Sequence, residues 1–237
     1  MLNADDPTVA SRLLEIEQGL RARLQQELGF SLVEKQGDTL SKAIAWSLDG
    51  ATLVKDVVQC FGVDIPLSAP SGKSFLEGFA TTIGPRIAMP SKWLEATGSA
   101  AATRLYVFAH EWQHVKQFTD GVSAGKWPKI TSHSVLYLAG VVAHTPDGEE
   151  YVGKVEGDAY AVSANVRRFF AGSPGEIDSY LALIRLSYNL LGVGPVMAED
   201  VLKSHFATMA ANVCPPVTAA RISQEYLYKH AGDLRGK

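Results

Sequence analysis

Cysteine is scarce in this sequence. The 237 residues include only Cys60 and Cys214, and neither belongs to a Cys-x-x-Cys pair. Two cysteines are too few for a disulfide framework, so a chain of this length must be stabilised mainly by a buried hydrophobic core. We expect two thiols that pack as small apolar side chains, with a single bridge between them as the alternative.

Charge excess and long apolar runs are also lacking. The net charge is −3 with a pI near 6.1, and no dense cluster of lysine and arginine appears, so neither nucleic acid nor an anionic membrane is an expected partner. The longest strongly apolar run, residues 135–143, is far shorter than the roughly 20 residues of a membrane-spanning helix.

An export signal is lacking as well. The first residues contain Asp5 and Asp6 where a signal peptide needs positive charge. We therefore expect a protein that is cytoplasmic where it is made. Export by a route that needs no signal peptide would leave no trace in the sequence and stays open.

What the sequence does contain is helical periodicity. Residues 8–30 place apolar side chains three and four apart, which predicts an amphipathic helix of about six turns. Further helices are predicted at residues 41–46, 51–61, 100–118, 130–143, 152–170, 176–191, 197–212 and 217–231. Gly50, the turn 146–148 and the segment 192–195 are predicted to separate some of these helices.

One segment favours a strand. Ile83, Ile87 and Met89 keep a period of two within residues 80–90, but Pro85 cannot donate a hydrogen bond to a neighbouring strand. An edge strand is therefore predicted, and an arm of a hairpin is an equally good interpretation. An edge strand just before a metal-binding helix can pair with an extended peptide.

The most informative stretch is His110-Glu111-Trp112-Gln113-His114, which matches His-Glu-x-x-His. At about 100° per residue, His110 and His114 lie on one helix face a turn apart, so both imidazoles can bind one metal ion. Glu111 lies beside them, where its carboxylate can act on a water at the metal without being a ligand. Trp112 is expected to pack in the core, and Gln113 to be polar filler.

A catalytic zinc site usually has three protein ligands, so a third must come from elsewhere in the chain. A carboxylate or histidine on a later helix is the usual source. The sequence offers these candidates after the motif: Asp120, His133, His144, Glu149, Glu150, Glu156 and Asp158.

The residues His110–Gln117 (HEWQHVKQ), followed by Glu156–Tyr160 (EGDAY), resemble the zincin metallopeptidases of the gluzincin type. Thr81–Gly84 (TTIG) resembles the substrate-side edge strand of bacterial members. The resemblance covers about residues 80–170. It implies a zincin-like fold, with the histidines of the motif and Glu156 as zinc ligands and Glu111 as the catalytic carboxylate.

The sequence departs from the gluzincin pattern around the third ligand. No asparagine precedes Glu156, and Tyr160 stands where an aspartate is often found four residues after the ligand. Asp158, Glu150 and His144 therefore stay open as alternatives. Gly157 is expected to allow close approach to the active helix.

The fold class predicted by these observations is α+β, mostly α-helical and zincin-like, with a small sheet and an HEXXH helix. We expect a single domain over residues 1–237. Within it, residues 1–66 form a helical N-terminal subregion, 80–170 the metal-site core, and 174–237 the C-terminal helices. The loop at residues 66–73 is the best candidate boundary between the first two parts.

The function implied is a zinc-dependent peptidase of bacterial or phage type that acts on a peptide or protein substrate, with Glu111 as general base. A binding protein that keeps the fold without turnover is one alternative, and an amidase acting on a cell-wall peptide is another. One further donor to the oxyanion is expected, and the sequence does not choose between Tyr160, Tyr151, His133 and Tyr137. Asp158 and Asp120 are the carboxylates predicted to orient the ligand imidazoles, and backbone carbonyl oxygens are an equally good alternative.

Overall fold

The computed structural model describes residues 6–60, 71–95, 97, 99–121, 136–137, 140–141, 144–188, 190 and 192–236. Its helices are α1 (Pro7–Leu28), α2 (Thr39–Cys60), α3 (Gly72–Gly78), α4 (Ser91–Leu94), α5 (Ser99–Gly121), α6 (Pro146–Ala171), α7 (Ile177–Tyr188), α8 (Val193–Ala210) and α9 (Thr218–His230). Its strands are β1 (Ser31–Glu34), β2 (Thr81–Ile83) and β3 (Arg86–Met89), and a 3-10 turn covers Gly232–Leu234. The α+β, mostly helical class is thereby confirmed.

Two predicted segments fall largely outside the described residues. The predicted boundary loop at 66–73 is described only from residue 71, and Gly72 already begins α3. Of the predicted helix at 130–143, residues 136, 137, 140 and 141 are described, and all four are helical. None of the helices in the described ranges combines the length and the apolar content needed to cross a bilayer.

The first two helices begin at aspartates. Asp6 accepts hydrogen bonds from the Thr8 and Val9 amides, and Gly29 ends α1 in the left-handed region at φ 64°. Asp38 accepts hydrogen bonds from the amide and hydroxyl of Ser41 at the start of α2. The predicted break at Gly50 is wrong, because α2 continues to Cys60; one helical glycine costs only about 1 kcal/mol.

Helices α6 and α8 begin earlier than the sequence predicts. The predicted turn at Pro146 is instead the first turn of α6, where the Thr145 hydroxyl accepts a hydrogen bond from the Gly148 amide at 3.2 Å. Proline suits this position because the first helical amides have no partner within the helix. For α8, the predicted separator at 192–195 is wrong beyond its first residue, since the helix starts at Val193.

The three strands form one sheet in the order β1-β3-β2. Strand β3 pairs parallel with β1 and antiparallel with β2, and the turn between β2 and β3 contains Gly84 at φ 59° and Pro85. The prediction of a single strand over 80–90 is therefore wrong, the hairpin interpretation is confirmed, and the predicted edge position holds for β2. Pro85 lies in the turn, which leaves β3 free to pair on both sides while β2 is the outer strand among the described residues.

Helix α5 packs against α1, α6, α9 and the sheet. On its buried face, Leu105, Phe108, Trp112 and Val115 are at most 2% exposed. The Trp112 indole donates a hydrogen bond to the Leu24 carbonyl oxygen of α1 at 2.7 Å, which confirms its predicted place in the core.

Close packing of α6 against α8 requires glycine. A Cβ atom on Gly153 would lie 2.2 Å from the Gly194 carbonyl oxygen, and one on Gly157 would lie 2.8 Å from Val201 Cγ1. The expectation that Gly157 permits approach to the active helix is wrong, because the neighbour that requires it is α8. The glycine face of α6 therefore contacts α8.

A buried ion pair joins α1, α4 and α5. Arg104 donates to Glu17 Oε2 through Nε at 2.9 Å and Nη2 at 2.5 Å, and Nη1 donates to the carbonyl oxygens of Trp93 and Leu94. Arg104 is 4% exposed and Glu17 is 2% exposed. Removing one partner of such a pair leaves a buried charge without its counter-ion.

We expect Glu17→Ala to lower the free energy of unfolding by about 3–5 kcal/mol, because Arg104 loses its carboxylate in a buried position. Urea unfolding measured by circular dichroism checks this. The matched control is Glu225→Ala, which breaks an exposed pair with Arg221 on α9 and should leave the midpoint nearly unchanged. Equal midpoints for the two variants would show that the buried pair does not stabilise the fold.

Candidate metal centre

Three side chains from α5 and α6 converge where the helices pack. His110 Nε2 lies 3.5 Å from Glu156 Oε2, His114 Nε2 lies 3.4 Å from Glu156 Oε1, and the two Nε2 atoms are 3.1 Å apart. His110 and His114 are one helical turn apart in the motif, whereas Glu156 comes from the later helix α6. The tertiary fold thus brings the predicted ligand set together.

The spacing of these donor atoms suits a metal ion. In a tetrahedral site with bonds of about 2.0–2.1 Å, neighbouring ligand atoms are separated by roughly 3.3 Å. The three observed separations, between 3.1 and 3.5 Å, bracket that value. In the described part of the chain, His110, His114 and Glu156 are the group of metal-ligating side chains that could hold a metal ion.

The environment of Glu156 also fits a cation. The side chain is fully buried, and its Oε2 atom has no hydrogen-bond partner among the described residues. Burial by itself raises the pKa of Glu156, but the neighbouring His114 and His110 outweigh it and hold the pKa well below its usual range. An ionised carboxylate at this depth needs a positive partner.

The pKa of His114 is shifted in the opposite direction to that of Glu156. Burial lowers the pKa of its imidazole, but the Glu156 carboxylate, with smaller contributions from Glu111 and Gln117, raises it to about 9. Metal binding requires the neutral ring, so a metal would replace this proton as the cation that balances Glu156.

Gln117 orients the His114 ring. Its Oε1 lies 2.9 Å from His114 Nδ1, and its Nε2 donates to the Val155 carbonyl oxygen on α6 at 3.0 Å. With the carbonyl fixing the amide, Gln117 presents an acceptor to Nδ1 and so directs Nε2 towards Glu156. The predicted imidazole partners are wrong: Asp158 pairs with His205 and Asp120 with Lys116.

Two tyrosines contact the ligand set. The Tyr137 hydroxyl donates to Glu156 Oε1 at 2.7 Å, and the Tyr160 ring packs edge-on against His110 with centroids 4.5 Å apart. Burial, together with the charges of Glu156 and Glu111, raises the pKa of Tyr160, so its hydroxyl stays protonated. Tyr188, which the sequence did not single out, contacts Tyr137 edge-on at 6.2 Å.

Glu111 is anchored to the sheet. The Thr82 hydroxyl lies 2.7 Å from Glu111 Oε2, to which it donates, and 3.0 Å from the Glu111 carbonyl oxygen. Thr82 lies in the middle of β2, so the outer strand holds the carboxylate beside the ligand set. The motif alone could not show this contact, because it joins residues 29 positions apart.

A buried lysine stabilises β2 at the same place. Lys35 Nζ donates to the carbonyl oxygens of Phe75 and Phe79 and to Thr81 Oγ1, at 2.7 to 2.8 Å. Burial lowers the pKa of Lys35 to about 8, and the negative charge of Glu111 opposes that shift. Lys35 thereby ties β1, α3 and β2 together next to the strand residue that holds Glu111.

The other sequence candidates for the third ligand lie elsewhere. His144 Nδ1 lies 3.2 Å from Glu149 Oε1, and Glu149 Oε2 accepts a hydrogen bond from the Gly192 amide at 2.7 Å. Glu150 is exposed. His133 lies outside the described residues.

Gln113 has a structural partner that the sequence does not reveal. It is 6% exposed, and its Oε1 accepts a hydrogen bond from the Ala219 amide at 3.3 Å. That amide belongs to the first turn of α9, which has no side-chain cap at Val217. The expectation of polar filler is wrong, because Gln113 caps a neighbouring helix.

Comparison with known proteins gives no match. No protein-family model matches the chain, and no curated protein and no solved structure is significantly similar to it.

We expect Gln117→Leu to weaken zinc binding by about 10- to 100-fold, because His114 loses the acceptor that sets its ring orientation. Competition with a chromophoric chelator measures the affinity. Lys116→Gln is the control, since Lys116 is the residue before Gln117 on α5 but pairs with Asp120 instead of the ligand set. If Gln117→Leu binds zinc as tightly as Lys116→Gln, Gln117 does not support the site.

Proposed function

We propose that this protein is a zinc-dependent metallopeptidase of the zincin type, and that it hydrolyses peptide bonds with Glu111 as general base. The observation that carries the proposal is the buried set of His110, His114 and Glu156, with donor atoms 3.1 to 3.5 Å apart. Glu111 adjoins this set in sequence and is only 6% exposed. This combination suits metal-assisted hydrolysis.

His110, His114 and Glu156 would hold the zinc ion, which when bound would supply a Lewis acid for the carbonyl and would lower the pKa of a water towards 7. Glu111 accepts the proton from the attacking water and passes it to the leaving amine. Thr82 donates to Oε2 of the carboxylate, which leaves Oε1 to take the proton. Because the carboxylate is already held in position, less conformational entropy is lost when it reaches the reactive geometry.

Among the described candidates, Tyr160 is the proposed oxyanion donor. Its ring contacts His110, and its raised pKa keeps the hydroxyl proton available for donation. The Tyr137 hydroxyl already donates to Glu156 and so serves the ligand carboxylate instead. A neutral donor of this kind stabilises negative charge that develops on the carbonyl oxygen.

An extended peptide is the substrate that suits the sheet. Strand β2 pairs with β3 on one side and is the outer strand among the described residues. A peptide added alongside Thr81–Ile83 would lie next to Glu111, because Thr82 contacts that carboxylate. The contact also favours turnover over a purely binding role, since a protein without chemistry has no need to hold Glu111 in this way. A cell-wall amidase would use the same residues.

The first test is metal content together with hydrolysis. Purified protein should contain about one zinc ion per chain by elemental analysis, and Glu156→Ala should lose most of it because three ligands become two. Glu111→Gln should keep its zinc and lose cleavage by at least about 100-fold, measured by mass spectrometry on a peptide library. Protein that binds no metal after incubation with zinc, or a Glu111→Gln variant that cleaves normally, would refute the proposed function.

The second test concerns the anchor on β2. Thr82→Val keeps the shape of the side chain but removes the hydroxyl, and should lower kcat about 10- to 100-fold through loss of Glu111 alignment. Zinc content and KM should change little. Thr82→Ser restores the donor and should recover most of the activity, whereas an unchanged kcat in Thr82→Val would show that the anchor is dispensable.

A further inference from the structure

A cavity of about 720 Å³ lies at the C-terminal end of α6. Its walls come from that end of α6, the residues after α8, α9 and the chain that follows α9. Asn165 in the wall is nine residues beyond Glu156, which corresponds to about 13 Å along the helix. The cavity is therefore separate from the metal centre.

The cavity is positively charged. Arg168 and Arg235 both line it, and none of its described lining residues is acidic. Neither arginine forms an ion pair with a described carboxylate. Arg168 Nη1 donates a hydrogen bond to the Met209 carbonyl oxygen at the end of α8. A guanidinium carries five N–H donors, so further donors are available to a ligand.

Stacking holds Arg235 in place. Its Cζ atom lies 4.7 Å from the centroid of the Tyr228 ring, and Phe169 packs edge-on against the same ring at 5.3 Å. Stacking on an aromatic ring leaves the edge of the guanidinium free. That edge matches the two oxygens of a carboxylate or phosphate, so Arg235 is oriented for such a group before it binds.

Asn165 adds a buried hydrogen-bond acceptor to the cavity wall. It is 3% exposed, and its Nδ2 donates to Gln224 Oε1 at 3.2 Å. Its Oδ1 is buried and has no hydrogen-bond partner among the described residues. Buried acceptors are nearly always satisfied, so a ligand that brings an N–H or O–H group would complete the hydrogen bonding here.

We propose that this cavity binds an organic anion. The anionic group, a carboxylate or a phosphate, binds to Arg168 and Arg235, and a nearby N–H or O–H group of the same molecule donates to Asn165. The volume lies within the range of about 300–1,000 Å³ typical of small-molecule sites and far exceeds the space that an inorganic ion needs. The proposal is independent of the metal centre and of the proposed hydrolysis.

Two probes test this site by isothermal titration calorimetry. Adenosine monophosphate presents a phosphate with N–H and O–H donors, and N-acetyl-dialanine presents a carboxylate with N–H donors. The tested variants are Arg235→Gln, on an exposed side chain after α9, and Arg168→Met. Arg23→Gln is the control, because it makes the same charge change at an exposed pair on α1.

We expect saturable binding of at least one probe to the wild type and to Arg23→Gln, weakened about tenfold or more in Arg235→Gln. The probe that binds more tightly identifies the anionic group. The amide-capped form of N-acetyl-dialanine should not bind. Circular dichroism checks that each variant is folded, and Arg235→Gln decides if Arg168→Met unfolds. The proposal is overturned if neither probe binds saturably up to about 10 mM, ten times a Kd of 1 mM, or if Arg235→Gln binds as the wild type does.

Discussion

The buried carboxylate of Glu156 is the constraint on which the arrangement of the helices depends. A negative charge with no exposed surface is tolerable only beside positive or donor groups, and those groups come from other elements. His110 and His114 on α5 and Tyr137 surround it. Helix α6 must therefore pack against α5 with Glu156 level with His110 and His114. A bound metal ion would require the same alignment of the two helices.

The opposite face of α6 makes this placement possible. Gly153 and Gly157 let α8 approach so closely that any side chain there would meet backbone or a branched side chain of α8. On the α5 side, the buried pair of Arg104 and Glu17 and the Trp112 hydrogen bond to α1 hold the motif helix. Close packing on one side and directional polar contacts on the other thus determine where the ligand atoms meet.

The small sheet serves both the core, through Ile87 and Met89 of β3, and the site. Strand β2 has only three residues, yet it carries Thr82, which holds Glu111, and begins beside the buried ammonium of Lys35. The parallel pairing of β1 with β3 brings Lys35 to this position from a segment some 46 residues earlier than Thr81. A strand that orients the carboxylate and offers an outer edge suits the proposed peptide substrate.

The sequence by itself determined the features that depend on neighbouring residues. Periodicity predicted the helices, and the four-residue spacing of His110 and His114 predicted a shared metal, because helical geometry repeats locally. The resemblance to gluzincins named Glu156, but the local pattern left Asp158, Glu150 and His144 open. Only the tertiary structure separated them, since the distance between atoms on two helices depends on packing. For the same reason, only the tertiary structure decided the roles of Thr82, Gln117 and Gln113. It also decided the partner of Gly157 and the cavity lined by Arg168 and Arg235.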